Sequence, residues 1–162
     1  MNRIERLASR LEEPLLVTGL VNVRYLTRLQ SSNAAVLVDP AGAATLYTDF
    51  RYAEAARDVE GVEFHQTPRY VVTALADLLS GRRVAVEAAH LTLASAETLR
   101  AGGVDLVSTT GLVERLRSVK EPGELDAMRR AGAISDRVYA ELAEQPFVGR
   151  TEAELAWWLE QA

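Results

Sequence analysis

The chain has 162 residues, of which 48% are apolar and 25% are charged, and its formal net charge is −5. This balance is typical of one globular domain with a real core, and the negative charge argues against a nucleic-acid partner. No cysteine is present, so the composition excludes disulfides, thiolate nucleophiles and cysteine-bound metals.

The N-terminal segment predicts a charged amphipathic helix, because Ile4, Leu7, Ala8 and Leu11 recur at helical spacing before Pro14. It lacks the apolar centre of a signal peptide, and no later apolar run is long enough to cross a membrane. We therefore expect a bacterial cytoplasmic protein without a membrane partner.

Strand signals dominate the next part of the chain. Short apolar runs predict strands over residues 15–19, 34–38 and 44–48, with a helical turn over residues 22–29. Pro40 and Gly42 suit a tight turn, so the second and third strands should form a hairpin. Asp49 is predicted to cap a helix that runs through Val59.

Strands and helices then alternate. Strands are predicted over residues 62–65, 84–87 and 104–108, and helices over residues 68–79 and from the Thr92 cap to Gly102. A hairpin followed by such alternating units predicts an α/β fold with a mixed β-sheet flanked by helices.

Strand signals end after about residue 116. Pro122 begins a long predicted helix whose inner face comprises Leu125, Met128, Ala131, Ile134, Val138 and Leu142. Thr151 and Glu154 form a capping box for another helix. A short amphipathic helix needs a partner surface, so we expect either a longer parent protein or docking on a second copy.

Few residues offer catalytic chemistry. His65 and His90, the two histidines, lack the spacing of metal ligands. The acids Asp39, Asp49 and Glu87 lie near strand ends, where converging acids form nuclease sites, but a hairpin turn, a helix cap and a solvated edge explain them separately. We therefore expect no catalytic residue and no metal ligand in this chain.

Two further pairs have alternative interpretations. Arg51 and Tyr52 can together bind a carboxylate, or Arg51 can pair on a helix surface while Tyr52 packs. Trp157 and Trp158 are more typical of core or interface packing than of ligand binding. No phosphate-binding glycine loop is present. On spacing alone, the sequence contains no complete active site.

Five segments, in order, resemble one known family. They read NVRYLTRL, SSNAAVLVDPAG, LYTDFRYAEAA, LVERLRSVKEPGELDAMRRAGAISD and GRTEAELAWWLE. This set is similar to the N-terminal part of the creatinase, prolidase and aminopeptidase P family of Xaa-Pro metallopeptidases. Lys120 and Glu124 match the K-[ST]-x-x-E sequence that leads into the catalytic domain of that family.

The resemblance implies two segments. Residues 1–116 would form a creatinase-type N-terminal domain of ribonuclease-H-like arrangement, and residues 117–162 a linker and the first helices of a pita-bread catalytic domain. In the family that domain holds two divalent metal ions, Mn, Co or Zn, and cleaves proline-containing peptides. No position here matches its metal ligands, so we expect the chain to be inactive alone.

The resemblance also implies a homodimer in which the N-terminal domain reaches over the active site of the partner subunit. The residues that match the family there are Asn22, Tyr25, Arg28, Ser32, Asn33, Arg51 and Tyr52. Arg28 stands where the family usually has Gly, and Leu29 where it usually has Phe. Arg28 either faces a substrate carboxylate or is a solvent-facing substitution. These departures leave aminopeptidase, dipeptidase and carboxypeptidase specificities open.

Two other classes remain as alternatives. One is a free-standing binding or assembly module with the same fold and no catalytic activity. The other is a metal-dependent nuclease of ribonuclease-H-like fold, which would bind magnesium at the acids that end its strands.

Overall fold

A computed structural model describes residues 1–161. The chain divides into two compact units, Met1–Ser118 and Val119–Ala162. The strands, all in the first unit, are β1 (Leu15–Val17), β2 (Ala34–Val38), β3 (Ala44–Thr48), β4 (Glu63–Gln66), β5 (Arg83–Glu87) and β6 (Asp105–Thr109). The helices of this unit are α1 (Arg3–Ala8), α2 (Leu20–Thr27), α3 (Ala53–Arg57), α4 (Val71–Leu78), α5 (Leu93–Ala101) and α6 (Leu112–Ser118).

The six strands form one mixed sheet in the order β4-β3-β2-β1-β5-β6, which confirms the predicted fold class. Strand β2 is antiparallel to both of its neighbours, whereas every other neighbouring pair is parallel. Five strands therefore end at one edge of the sheet, and β2 begins there, with Ala34 opposite Thr48. We call this edge the carboxyl edge.

Helices cover both faces of the sheet. Successive residues of β1 point to opposite faces, so Leu15 and Val17 join one apolar cluster and Leu16 joins the other, all with no exposed surface. Helices α1, α2, α3 and α6 contribute to the first cluster, and α4 and α5 contribute to the second. Burial of each such side chain contributes about 1.5–3 kcal/mol, so burial on both faces stabilises the central strands.

The predicted hairpin and one predicted cap are confirmed. In the β2–β3 turn the Asp39 amide donates to the Ala43 carbonyl at 2.8 Å, and Gly42 takes a φ of 93°. The Thr92 hydroxyl accepts a hydrogen bond from the Ser95 amide and thereby caps α5.

The predicted helix cap at Asp49 is wrong. Helix α3 begins at Ala53, after Tyr52 at the N-cap position, and ends at Arg57 rather than Val59. The Asp49 carboxylate instead accepts hydrogen bonds from the backbone and the side chain of Arg51. A short aspartate that binds the backbone two residues ahead forms a turn, and this turn delays the start of the helix.

The second unit contains α7 (Pro122–Ala143) and α8 (Glu152–Gln161). Pro122 starts α7 as predicted, and the amide of Glu154 donates to the Thr151 hydroxyl in the predicted capping box. The predicted inner face of α7 is uncovered within residues 1–161, where no residue of α7 is buried and Met128 is 57% exposed, so it stays a prediction. The described part of this unit has only two helices, which supply no second apolar layer.

None of the helices among residues 1–161 is long and apolar enough to cross a membrane.

Candidate functional site

Two clusters of polar side chains lie at the carboxyl edge. The Asn22 cluster comprises Asn22, Glu87, His90, Glu114 and Arg117. The Asp49 cluster comprises Ser32, Asn33, Asp49, Arg51 and Tyr52. The first cluster joins segments that follow the parallel strands β1, β5 and β6, and the second joins the segment before β2 to the segment after β3.

The amide of Asn22 is the centre of the first cluster. Its nitrogen donates to a carboxylate oxygen of Glu87 and to one of Glu114, each at 2.6 Å. Its oxygen accepts a hydrogen bond from the Arg117 guanidinium at 3.0 Å. His90 Nε2 lies 2.7 Å from the same Glu114 oxygen. One buried amide thus connects α2 to the end of β5 and to α6.

The backbone around Glu87 explains where β1 ends. The second carboxylate oxygen of Glu87 accepts hydrogen bonds from the amides of Thr18 and Gly19, both at 2.8 Å. These two residues were predicted as strand, but their amides bind this side chain and not a neighbouring strand. Glu87 is only 6% exposed, so its prediction as a solvated edge residue is also wrong.

Gly19 allows His90 to pack directly against the backbone. A Cβ atom at Gly19 would lie 2.7 Å from Cγ of His90, closer than real side chains approach. The imidazole can therefore reach Glu114 only because position 19 has no side chain. The His90 side chain is 35% exposed.

Glu114 remains ionised in this environment. Burial raises its pKa, but the hydrogen bonds from Asn22 and His90 outweigh burial and hold the pKa below its ordinary value. The cluster therefore contains a negative charge on Glu114. The Arg117 guanidinium joins the cluster by donating to the side-chain oxygen of Asn22.

Glu87, His90 and Glu114 are the one group among residues 1–161 with ligand atoms close enough to hold a metal ion, all within 4.8 Å. Both Glu87 oxygens already accept hydrogen bonds, and the Asn22 nitrogen lies between the two carboxylates. A cation would have to displace that donor, so this donor set does not fit a metal ion. Sequence reasoning missed the group because Glu87 and His90 lie at the end of β5 and just after it, whereas Glu114 lies on α6.

The Asp49 cluster surrounds a buried carboxylate. Nε and Nη2 of Arg51 donate to the two Asp49 oxygens at 2.9 and 2.7 Å, and the Asn33 amide donates to one of them. Asn33 also donates to the Arg69 carbonyl at 2.6 Å, and the Ser32 hydroxyl lies 2.8 Å from the Tyr52 hydroxyl. The carboxylate partner of Arg51 is thus a residue of its own chain.

These contacts shift two pKa values. The Arg51 hydrogen bonds hold the pKa of Asp49 far below its usual range, with help from Asn33 and against the effect of burial. The hydrogen bond from Ser32 lowers the pKa of Tyr52. Both shifts favour the ionised form of the side chain.

The segment from Arg28 to Asn33, which we call the edge loop, links α2 to β2. Arg28 ends α2 in the left-handed conformation, with φ 62° and ψ −2°. Leu29 is buried, and its amide donates to the Thr27 hydroxyl at 3.1 Å. At the other end, Ser32 and Asn33 bind the Asp49 cluster. The loop is therefore held at both ends.

Two depressions adjoin the edge loop. A cleft of about 220 Å³ has Ser32 and Asn33 from one cluster and His90 from the other in its wall. A larger hollow of about 710 Å³ is lined by Arg28 and Gln30 and by Asp58 and Glu60. The cleft thus gives the carboxyl edge a recessed polar surface, as the crevices at strand ends in α/β sheets do.

The seven predicted site residues lie in three kinds of environment. Ser32, Asn33, Arg51 and Tyr52 meet in the Asp49 cluster, and Asn22 is fully buried in the other cluster. Tyr25 is also buried, with the Arg3 guanidinium 4.2 Å from its ring centre, whereas Arg28 is exposed. Their approach to a substrate in a partner subunit stays a prediction.

A mixed six-stranded sheet, covered by helices and carrying a polar carboxyl edge, defines the class as an α/β N-terminal domain of creatinase type. The family model "Creatinase/Prolidase N-terminal domain" matches residues 3–119. The chain belongs to this family, which confirms the resemblance found in the sequence.

Individual relatives agree with this placement. A stretch of 54 residues is 52% identical to the Mycobacterium tuberculosis protein named "Probable dipeptidase PepE" and covers 33% of this chain and 14% of that protein. The Xaa-Pro dipeptidase from Bacillus anthracis superposes with a TM-score of 0.88 at 26% identity, over 98% of this chain and 47% of that one. The chain spans less than half of the length of either relative.

A third relative is a solved domain of similar size. The N-terminal domain of cytoplasmic peptidase PepQ from Mycobacterium tuberculosis superposes with a TM-score of 0.62 at 28% identity. The match covers 70% of this chain and 97% of that domain. The fold described above is therefore that of the N-terminal domain in Xaa-Pro peptidases.

Proposed function

We propose that this chain serves as the dimerisation and substrate-gating part of an Xaa-Pro metallopeptidase that acts on proline-containing peptides. One observation supports the proposal above others, namely that the edge loop is held at both ends on the carboxyl edge. In a homodimer this loop would narrow the entrance to the active site of the partner subunit.

A loop that gates an active site must keep its shape without a ligand, because ordering it during binding would reduce affinity. The bonds from Asn33 to Asp49 and from Ser32 to Tyr52 provide that order, since they fix the loop to the residues after β3. On this proposal, four of the predicted site residues position the loop, and the exposed Arg28 and Gln30 form its tip.

The catalytic residues would lie in the rest of the parent enzyme. Residues 1–116 would be the accessory domain, and residues 117–162 the linker and first helices of the catalytic domain, in a cytoplasmic protein. Two divalent metal ions, Mn, Co or Zn, would activate the attacking water there. This chain would contribute shape and polar surface at the entrance, and alone it would be inactive.

The experiment is a subunit-mixing assay with the full-length enzyme. Each mixed dimer combines one subunit with a disabled metal site and one with an intact site, and the change Asn33→Ala, which removes a contact that holds the loop, is placed on either of the two. If the loop acts on the partner, KM changes when the loop variant and the intact metal site are on different subunits. The change is small when they are on the same subunit.

The matched control is Gln66→Ala, an exposed amide at the end of β4 on the same edge. This control should leave KM unchanged in both arrangements. A full-length enzyme that is an active monomer, or KM values independent of Asn33 in both arrangements, would rule out the gating role. A 162-residue chain that folds as a stable monomer and has no enzymatic parent would instead favour a free-standing binding module.

A further inference from the structure

The helices that follow two neighbouring strands leave the sheet on opposite faces. Strands β1 and β5 pair in parallel. Helix α2, which follows β1, joins the first apolar cluster through Val23 and Leu26, whereas α5, which follows β5, joins the second through Leu99. The loops after these strands therefore diverge and leave a crevice, which is where ligands bind in open α/β sheets.

The cleft of about 220 Å³ lies at this crevice. Thr18 and Leu20 come from the segment after β1, and His90 and Thr92 come from the segment after β5. The start of β2 and the first turn of α4 complete its wall. Among residues 1–161, none lines both this cleft and the hollow beside Arg28, so the two depressions are separate.

The wall of the cleft contains no negative charge. Within the described residues no acidic side chain lines it, although 23 of the 162 residues are Asp or Glu. Asp49 and Glu114 contact two lining residues, Asn33 and His90, but neither acid is itself part of the wall. An anion in the cleft would therefore meet hydroxyl, amide and imidazole groups and no carboxylate.

Two helices begin at the cleft. Val71 and Val72 are the first two residues of α4, and Thr92 and Ser95 are the N-cap and the third residue of α5. In the part of the chain that the structure describes, no side chain caps α4. The N-terminal end of a helix carries partial positive charge, and its first amides bind anions.

A hydroxyl in the same wall lacks a partner. Thr18 Oγ1 is shielded from solvent and has no hydrogen-bond partner among residues 1–161, whereas the Thr18 amide is fixed on Glu87 at 2.8 Å. A polar group that is shielded from water and unpaired costs free energy. An acceptor bound beside Thr18 would remove that cost.

We propose that this cleft binds a small carboxylate with a short apolar tail. The carboxylate would accept hydrogen bonds from the first amides of α4 and from the Thr18 hydroxyl, and the tail would pack against Leu20, Val71 and Leu91. The ammonium group of an amino acid or a peptide finds no acid in the described wall, so the site favours simple carboxylates. Inorganic phosphate fits less well, because the described wall has no Arg or Lys and half of its residues are apolar.

The test measures binding of 4-methylpentanoate to the 162-residue chain by NMR titration and calorimetry. Three matched probes are 4-methylpentanamide, which removes the charge, L-leucine, which adds an ammonium group, and inorganic phosphate. The carboxylate should shift the backbone amide signals of Val71, Val72 and Ser95, and it should bind about tenfold or more tightly than each of the other three. Equal binding of any other probe, or no shift at these amides, would overturn the inference.

Two substitutions at one position test the location. Ser95→Asp places a carboxylate in the wall, at a first-turn position where an acid also stabilises the helix, and it should weaken binding about tenfold or more. Ser95→Asn has nearly the same shape without the charge and should bind within about threefold of the wild type. The charge control is Thr98→Asp, which lies at an exposed position one turn later on α5.

Thr98→Asp should bind as the wild type does. Val72→Asp introduces the same charge from α4, so the test does not depend on one variant being folded, which urea unfolding checks for each. If the folded aspartate variants at Ser95 and Val72 bind as tightly as Thr98→Asp, the cleft is not the site. These measurements use this chain alone, so their outcome is independent of the proposed gating function.

Discussion

The side-chain amide of Asn22 lies 2.6 Å from the carboxylate of Glu87, although 65 residues separate them in the sequence. Asn22 has no exposed surface, and Glu87 is 6% exposed. A buried carboxylate is costly unless donors surround it, and Glu87 has three, from Asn22 and from two backbone amides. This pair therefore stabilises the carboxyl edge rather than offering chemistry to a ligand.

Removing this amide should destabilise the protein strongly. Asn22→Ala leaves Glu87 and Glu114 without their shared donor, and we expect a loss of about 2–4 kcal/mol in the free energy of unfolding. Asn22→Asp should cost more at neutral pH, because it adds a third carboxylate. The excess should shrink in acid, as the introduced carboxylate takes up a proton. Urea unfolding at several pH values measures both effects.

The surface variant Gln66→Ala is the control for Asn22, since that amide is exposed. Equal stability of Asn22→Ala and Gln66→Ala would mean that the Asn22 cluster does not support the fold.

Gly19→Ala should displace His90. The added Cβ would lie 2.7 Å from Cγ of the ring, so we expect a loss of about 1–3 kcal/mol from overpacking. The change His90→Ala removes the obstacle, and Gly19→Ala should then cost much less. A double-mutant cycle measured by thermal or urea unfolding gives the coupling. Strictly additive effects would contradict the close contact.

Acid should lower the free energy of unfolding by protonating Asp49. The pKa of Asp49 is lower in the folded state than in the unfolded chain, so its contribution is complete above the unfolded value of about 3.9. That contribution is lost as the pH falls below this value towards the folded pKa. The free energy of unfolding should therefore fall between about pH 5 and pH 2.

The variant Asp49→Asn should be less stable than the wild type at neutral pH and should lose less stability on acidification. Asp77→Asn, at an exposed position on α4, controls for the loss of one negative charge. Parallel pH profiles for the wild type and Asp49→Asn would refute the linkage.

The contact between Ser32 and Tyr52 can be followed by titration. The Ser32 hydroxyl lowers the pKa of Tyr52, so Ser32→Ala should raise that pKa towards the ordinary value of about 10. Tyrosinate absorbance against pH measures it, and Tyr52→Phe identifies which transition belongs to this residue. Ser31→Ala is the matched control, because the neighbouring Ser31 hydroxyl has no hydrogen-bond partner among residues 1–161.

Local sequence patterns predicted the architecture because each strand and helix carries its own signal. The hairpin could be predicted from Pro40 and Gly42, and the start of α5 from Thr92, since turn and cap chemistry depends on residues next to each other. The start of α3 could not be predicted in this way. The Asp49 carboxylate can either cap a helix or accept hydrogen bonds from Arg51, and in the structure it binds Arg51.

The site was predicted less completely than the fold. The short motif around Arg51 and Tyr52 marked the Asp49 cluster, whose members lie directly before β2 or directly after β3, the two strands of the predicted hairpin. Glu114 and Arg117 could not be recognised as site residues from the sequence. The sequence pattern of a charged helix face is the same whether that face lies in solvent or contacts a distant amide. Only the order of strands in the sheet brings α6 beside Asn22.

The reversed direction of β2 has a consequence for how this domain can change. Because β2 alone begins where the other five strands end, the edge loop enters the middle of the carboxyl edge without continuing any parallel strand. Substitutions at its tip leave the strand register intact. The chemistry displayed at this edge can therefore diversify between related proteins independently of the stability of the sheet.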